Sequence, residues 1–189
     1  ARRFPELNFL VYHSGFDTAV KEGPYDPDAK AGIDVLIRSV RENGVKNVYA
    51  ELGSTWRFVM REPEQAAHLL GKLLKHIGED NILWGTDSIW YGSPQDQILA
   101  FRAFDISREF QDQYGYPALT PAIKRKIFGL NGARVYGLKP EEMRKKLARD
   151  RVQKTKLEYL DHPDPAFVTY GPRTRREFLV FRALHGEMP

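Results

Sequence analysis

Two short apolar runs in this sequence each end at a side chain that can exchange protons or bind a metal. Residues 9–12 (FLVY) lead into His13, and residues 82–86 (ILWGT) lead into Asp87. Such runs predict buried strands, and α/β proteins place their reactive groups where strands end. An imidazole and a carboxylate are the groups of acid–base or metal-assisted catalysis, so we take both residues as catalytic candidates. The structural alternatives are a core histidine and an Asx turn or helix cap at Asp87.

Three further side chains near strand ends are predicted to contact a substrate. Glu51 stands near the end of the second predicted strand, Arg57 lies in the loop behind it, and Trp90 follows Asp87. A guanidinium pairs well with a substrate carboxylate. The alternatives are a buried ion pair for Glu51 and a role as ordinary loop anchors for Arg57 and Trp90.

Strands and helices that alternate along the chain must position these side chains. Strands are predicted over about residues 8–12, 47–52 and 82–86, residues 54–57 as a loop, and helices over about 31–42, 63–77 and 94–101. A helix after each strand predicts βαβ units with parallel strands, which are buried on both faces. Further helices are predicted over about residues 121–136, 140–160 and 173–185.

The helix over about residues 63–77 carries a stripe of leucines at helical spacing. His68 points away from this stripe and His76 lies at its border. We therefore predict that both histidines lie at the surface or at the flank of the helix.

Three strand–helix units are too few for an eight-stranded barrel, which needs about 250 residues. Three parallel strands alone would leave two open sheet edges, which proteins normally protect. The sequence also enters a strand directly, without an initial Met. We therefore predict an α/β fold that is the C-terminal portion of a larger protein. The alternative is a small, complete three-layer domain.

The composition excludes several kinds of site. There is no Cys, so any metal must be held by His, Asp or Glu, and no thiol nucleophile exists. No apolar run is long enough for a membrane helix, and no signal peptide is present, so we expect a cytoplasmic protein without membrane contact. A serine-hydrolase elbow, a P-loop and a dinucleotide-binding glycine motif are also absent from the sequence.

The net charge of +4 lies in the C-terminal part of the chain. Basic and acidic residues balance up to Leu138, and the excess comes from segments such as residues 143–146 (MRKK) and 173–176 (RTRR). A basic tail can contact nucleic acid, but no aromatic residues alternate with these charges to stack on bases. We therefore expect solvated helix faces or contact with an acidic partner.

Three motifs together resemble the amidohydrolase-related family, in the branch that includes aminocarboxymuconate-semialdehyde decarboxylase. Residues 4–15 (FPELNFLVYHSG) resemble the family's sixth-strand signature, and residues 82–87 (ILWGTD) resemble its eighth-strand signature. Residues 131–138 (NGARVYGL) are similar to the end of the helix that closes the family's barrel. The motifs occur in the family's order, and the chain after Lys139 is not covered.

The resemblance implies a metal-dependent (β/α)₈ barrel enzyme. Residues 1–138 are then the last βα units of a TIM barrel, and residues 139–189 are a charged helical extension. By motif, Asp87 is a ligand of a divalent metal, usually zinc, and a proton acceptor. His13 is by motif the acid/base or the residue that polarises the substrate.

The sequence also departs from the family pattern. The His-x-His pair that the family uses to hold its metal does not occur, and residues 14–16 (SGF) replace a frequent Gly-Gly run. One carboxylate does not hold zinc, so we expect the isolated chain to bind it poorly and to be inactive.

We therefore expect part of a hydrolase that cleaves a C–N or C–O bond of a small molecule through a metal-activated water. One alternative is a decarboxylase of a small carboxylic acid, and another is a non-catalytic scaffold that retains a barrel remnant. The expected partners are the missing N-terminal half of the barrel, the small-molecule substrate and a second copy of the chain.

Overall fold

The computed structural model describes residues 1–148, 150–162 and 175–184, and its centre is a parallel sheet. The strands are β1 (Phe9–Val11), β2 (Val48–Glu51) and β3 (Ile82–Leu83), in the spatial order β1-β2-β3. Phe9 pairs with Val48, and Ala50 pairs with Ile82. The predicted parallel strands are confirmed, and the chain order places β2 in the middle.

Helices follow each strand. The first half contains α1 (Ile33–Asn43), α2 (Gly53–Val59), α3 (Pro63–His76), α4 (Ser88–Tyr91), α5 (Gln95–Ala103) and α6 (Arg108–Tyr114). After them come α7 (Pro121–Arg125), a π-helical turn (Lys126–Leu130), α8 (Asn131–Val135), α9 (Pro140–Leu147), α10 (Arg151–Asp161) and α11 (Arg175–Leu184). Short 3₁₀ turns occupy Tyr12–Gly15 and Glu79–Asn81. No helix in the described part of the chain is both long and apolar enough to cross a membrane.

One apolar core joins the sheet to helices α1, α2, α3 and α5 and to the π-helical turn. Its fully buried side chains include Ile37, Trp56, Leu69, Leu70, Leu73, Phe101 and Ile127. Burying each of them stabilises the fold by about 1.5–3 kcal/mol. Trp56 also links α2 to α5, because its indole N–H donates to the Gln97 carbonyl at 2.9 Å and its ring meets Phe101 edge-on. This core fixes the ends of the strands in space.

Several predicted helix ends are confirmed. Thr120 caps α7 by accepting the Ile123 N–H at 3.2 Å, and Pro63 begins α3. Gly44 follows α1 in the left-handed conformation (φ 58°). These ends depend on local chemistry, which the sequence carries directly.

The strand predicted over about residues 82–86 is wrong in length, since β3 ends at Leu83. Its hydrogen-bonded neighbour β2 ends at Glu51, and the last bond of the ladder runs from Leu52 N to the Leu83 carbonyl at 2.9 Å. Because no strand among the described residues lies beside the chain after Leu83, the residues there cannot continue the ladder of hydrogen bonds.

The loop predicted over residues 54–57 is also wrong, because these residues lie in α2. This helix spans only 7 residues, which is too short for a helical period to be recognised in the sequence. The same holds for α6, another 7-residue helix that was not predicted.

Two predicted long helices are interrupted. The helix over about residues 121–136 contains the π-helical turn, after which the Asn131 amide donates to the Glu79 and Ile82 carbonyls, both at 2.8 Å. The helix over about residues 140–160 breaks at Asp150, which is extended and precedes α10. Aspartate is disfavoured in helix interiors, and the Asp150 side chain makes no capping bond to α10.

The C-terminal region is described only in part. The ends of the helix predicted over about residues 173–185 fall outside the described residues, and α11 occupies Arg175–Leu184. Neither α9 nor α10 buries a residue. The division at residue 138 stays a prediction.

The surface position predicted for His68 is wrong. His68 is buried, and its Nδ1 lies 3.0 Å from the Tyr116 hydroxyl. The unpredicted α6 and the segment after it cover this side of α3 with the rings of Phe110 and Tyr114. His76 is half-buried and packs against the Tyr25 ring.

Candidate active site

Three strand ends bring His13, Ser54 and Asp87 into one hydrogen-bonded cluster. His13 follows β1, Ser54 is the second residue of α2 after β2, and Asp87 follows β3 just before α4. His13 Nδ1 lies 3.4 Å from Asp87 Oδ2. The Ser54 backbone N–H lies 3.2 Å from that Nδ1 and 3.0 Å from that Oδ2. The two residues proposed from the sequence are therefore neighbours, and the middle strand supplies the residue between them.

The backbone at His13 adopts a conformation that residues with a side chain rarely take. His13 has φ 59° and Ser14 has φ 53°, which costs about 1–2 kcal/mol per residue. Three bonds to Glu51 and Thr55 hold this turn. The His13 N–H donates to Glu51 Oε2 at 3.1 Å, the Thr55 hydroxyl donates to the His13 carbonyl at 2.7 Å, and the Ser14 hydroxyl donates to the Glu51 carbonyl at 2.8 Å. The strain indicates that the surrounding structure determines where His13 stands.

The carboxylate of Glu51 is buried beneath this cluster. One oxygen accepts the His13 N–H and the other accepts the Gly53 N–H at 2.8 Å. Burial raises the pKa of Glu51, and the two backbone N–H groups counteract this effect only in part. Glu51 therefore positions the backbone that carries His13 and Ser54, and its predicted contact with a substrate stays a prediction.

The contacts of Asp87 gather on its Oδ2 atom. The Ser54 hydroxyl lies 2.5 Å from Oδ2, and the Ser54 N–H lies 3.0 Å from it. Asp87 is itself in the left-handed region (φ 49°), where aspartate is tolerated better than most residues. The Tyr91 hydroxyl lies 3.0 Å from the Ser54 hydroxyl and extends the cluster by one residue.

Arg57 joins the cluster through Tyr91. Its guanidinium lies 4.2 Å from the centre of the Tyr91 ring and 3.8 Å from Asp96 Oδ2. Trp90 lies on α4 with 79% of its surface exposed. The imidazole of His13 is 45% exposed, so a small molecule can reach it. Substrate contacts of Arg57 and Trp90 stay predictions.

The side chains near Asp87 do not form a metal site by themselves. Among the described residues, no group of three or more His, Asp or Glu side chains is arranged to hold a metal ion. A catalytic zinc site normally has three protein ligands. Asp87 can supply one ligand of such a site. The described residues therefore do not form a complete zinc site.

The sequence did not identify Ser54 as a site residue. Its position carries a signal, because Ser54 follows β2 as directly as His13 and Asp87 follow their strands. When three parallel strands lie in chain order, the residue after the middle strand stands between the other two strand ends.

Comparison with protein families identifies a match for most of the chain. The family model described as "Amidohydrolase" matches residues 1–138, which include β1, β2, β3 and the cluster at their ends. No curated protein and no solved structure matches the chain.

Proposed function

The chain belongs to the amidohydrolase family, and on that premise we propose that it supplies the proton-transfer residues of a hydrolase. The substrate is a small molecule with a C–N or C–O bond to be cleaved. The observation that carries the proposal is the 3.4 Å approach of His13 Nδ1 to Asp87 Oδ2 at the carboxyl ends of two parallel strands. The resemblance to the decarboxylase branch rests on the three sequence motifs alone.

Each residue of the pair has a chemical role in this proposal. Asp87 is the proton acceptor for an attacking water, because an ionised carboxylate only accepts hydrogen bonds. His13 acts on the substrate oxygen or the leaving group, since its half-exposed ring is the accessible polar group beside Asp87. A divalent ion, which the family resemblance implies, would take its other ligands from outside the described residues.

We further propose that additional strands of a barrel complete the sheet. β1 is only half-buried, whereas all four residues of β2 are buried. A groove of about 550 Å³ beside β1 is lined by apolar side chains such as Phe9, Val11 and Leu36, and also by polar side chains of residues 2, 3, 39 and 43. In the described residues, the outer edges of β1 and β3 have no strand beside them. A parallel sheet is normally covered on both faces, which favours a further βα unit as the occupant.

The test measures hydrolysis by the protein expressed from its complete gene. The panel contains p-nitrophenyl acetate, N-acetyl amino acids and simple lactones, each with and without added Zn²⁺. Loss of one proton-transfer residue typically costs 10²–10⁴-fold in rate, so His13→Ala and Asp87→Asn should each lower kcat by about that factor. The control is Arg108→Ala, because Arg108 is exposed and pairs only with Asp112 among the described residues.

The outcomes separate the alternatives. Hydrolysis that both variants slow by about that factor and that the control retains supports the proposal. If the protein releases CO₂ from aromatic carboxylic acids and hydrolyses none of the panel, it is a decarboxylase and not a hydrolase. If neither reaction is observed, or if hydrolysis persists in both variants, the proposed catalytic role is overturned and a scaffold is supported.

A further inference from the structure

A histidine and an aspartate 3.4 Å apart can pair in two ways, which give the imidazole opposite functions. If Nδ1 of neutral His13 carries the proton, it donates to Asp87 and leaves a lone pair on Nε2, which acts as a base. If Nδ1 accepts a hydrogen bond, the proton lies on Nε2, which then acts as a donor. The donors around Asp87 Oδ2 and His13 Nδ1 decide between these tautomers.

Ser54 supplies those donors. Its backbone N–H lies 3.2 Å from His13 Nδ1 and 3.0 Å from Asp87 Oδ2, and its hydroxyl lies 2.5 Å from the same Oδ2. A carboxylate only accepts, so the hydroxyl proton of Ser54 points to Asp87 in a short, charge-assisted bond. Oδ2 thus accepts the hydroxyl proton of Ser54, and the backbone N–H of Ser54 is shared between Oδ2 and His13 Nδ1, so Oδ2 needs no hydrogen bond from the imidazole.

Tyr91 lies beside the Ser54 hydroxyl, whose direction is already set by its bond to Asp87. The two hydroxyl oxygens lie 3.0 Å apart, and the one hydroxyl proton of Ser54 is already directed to Asp87. Tyr91 is therefore the donor to Ser54. Since the guanidinium of Arg57 lies over the Tyr91 ring, the chain of donors is anchored at its outer end.

We propose that Ser54 is a positioning residue that fixes neutral His13 in the tautomer with its proton on Nε2. The Ser54 hydroxyl donates a hydrogen bond to Asp87 Oδ2, and the Ser54 backbone N–H donates one to His13 Nδ1. The half-exposed ring then presents an N–H donor rather than a base. The catalytic meaning of this tautomer rests on the proposed function, whereas the tautomer itself does not.

The tautomer divides the chemical steps between the two residues. Nε2–H donates a hydrogen bond to the carbonyl oxygen of the substrate and keeps its proton. The attacking water forms the new C–O bond and gives one proton to Asp87. The contacts with Ser54 fall on Oδ2, so Oδ1 is the oxygen that takes this proton. Asp87 returns the proton to the leaving nitrogen or oxygen as its bond to carbon breaks, so protons balance.

The experiment reads the tautomer directly by NMR of the full chain labelled with ¹⁵N-histidine. The spectra are recorded at an alkaline pH where the ring nitrogen shifts no longer change with pH. The two ring nitrogens of a neutral imidazole then have well-separated shifts in a single tautomer. The His13 signals are assigned by their loss in His13→Gln. We expect wild-type His13 to be protonated at Nε2.

The matched variants are Ser54→Ala and Tyr91→Phe. Ser54→Ala removes the hydroxyl and keeps the backbone N–H. Asp87 Oδ2 is then free to accept a hydrogen bond from a proton on His13 Nδ1. We expect the two His13 shifts to exchange their pattern or to converge toward a mixture. Tyr91→Phe keeps the Ser54 bond to Asp87, so its His13 tautomer should match wild type.

Three results would overturn the proposal. They are a wild-type His13 with its proton on Nδ1, an unchanged tautomer in folded Ser54→Ala, and a tautomer that changes equally in Tyr91→Phe. If Ser54→Ala does not fold, Ser54→Cys takes its place, because a thiol is a weaker donor and should give a mixture.

In the protein expressed from its complete gene, Ser54→Ala should lower kcat for hydrolysis by about 10² and change KM less. Ser54→Thr restores a hydroxyl and should recover much of the rate. If no hydrolysis is found, the proposed function fails and the NMR result still decides the role of Ser54.

Discussion

The carboxylate of Glu51 occupies the space where a side chain on Gly85 would begin. A Cβ on Gly85 would lie 1.6 Å from Glu51 Oε1, and a Cβ on Gly53 would lie 2.8 Å from Glu51 Oε2. Both glycines follow strands and flank the carboxylate that holds the backbone of His13 and Gly53. The buried glutamate and the two glycines therefore form one packed unit beneath the candidate active site.

Gly85→Ala should displace Glu51 and disturb the cluster above it. Overpacking a filled site typically costs about 1–3 kcal/mol, and backbone N–H groups of His13 and Gly53 would lose their acceptor. Urea unfolding measures the loss of stability. Gly129→Ala is the matched control, because a Cβ there meets nothing within 4 Å and alanine favours a helix by about 0.5–1 kcal/mol. Equal stability of the two variants would contradict this account.

A buried ion cluster between α1 and α3 makes Lys72 important for stability. Lys72 Nζ lies 2.6 Å from Glu22 Oε2 and 2.7 Å from Asp34 Oδ1, and the lysine side chain is 1% exposed. Lys72→Met removes the cation and leaves two carboxylates together in the core. We expect a loss of roughly 3–5 kcal/mol in the free energy of unfolding, measured by urea titration at pH 7.

Glu22→Gln should lower the free energy of unfolding less than Lys72→Met does, because the Asp34 carboxylate still pairs with Lys72. Burial raises the pKa of Glu22 from 4.5, so the folded state binds this proton more tightly than the unfolded state. Its stabilising contribution is complete below pH 4.5 and is lost as the pH rises through the raised pKa. Relative to wild type, Glu22→Gln should therefore gain stability from pH 4.5 to pH 7. If the difference in stability between Glu22→Gln and wild type does not change with pH, Glu22 is not responsible for the pH dependence.

His68 should produce the opposite pH dependence. Burial, and next the charge of Lys72, lowers the pKa of His68 from 6.5, so folding favours the neutral ring. This contribution is present above pH 6.5 and is lost as the pH falls through the lowered pKa. One such group changes the free energy by at most about 1.4 kcal/mol per pH unit.

His68→Gln should therefore lose less stability than wild type when the pH falls from about 7.5 to about 5.5. Thermal unfolding at the two pH values measures this difference. His76, whose pKa is also lowered by burial, retains part of the effect in this variant. The control is His162→Gln, since His162 is exposed, and a change in its pH dependence as large as that of His68→Gln would contradict the assignment.

Equimolar ZnCl₂ should leave the thermal midpoint of the chain unchanged. A ligand stabilises a fold only when its concentration exceeds its dissociation constant, and the described residues hold no group of three metal-binding side chains. Differential scanning fluorimetry of wild type and Asp87→Asn provides the measurement. A rise of several degrees in wild type that Asp87→Asn removes would show that the chain completes a zinc site by itself.

The sequence by itself determined the elements that depend on neighbours along the chain. Apolar runs and helical periods gave the three strands and their helices, and Thr120 and Gly44 marked helix ends through bonds within a few residues. The same local pattern placed His13 and Asp87 at strand ends. The family match covers residues 1–138 and contains both residues.

The tertiary structure alone decided what these residues meet. Ser54 contacts Asp87 across 33 positions of sequence, and His68 contacts Tyr116 across 48. Glu51 turns into the packed space that Gly85 leaves, and β3 ends where β2 stops beside it. Such contacts arise because strand order brings distant segments together. A local period carries no information about which segment will be the neighbour.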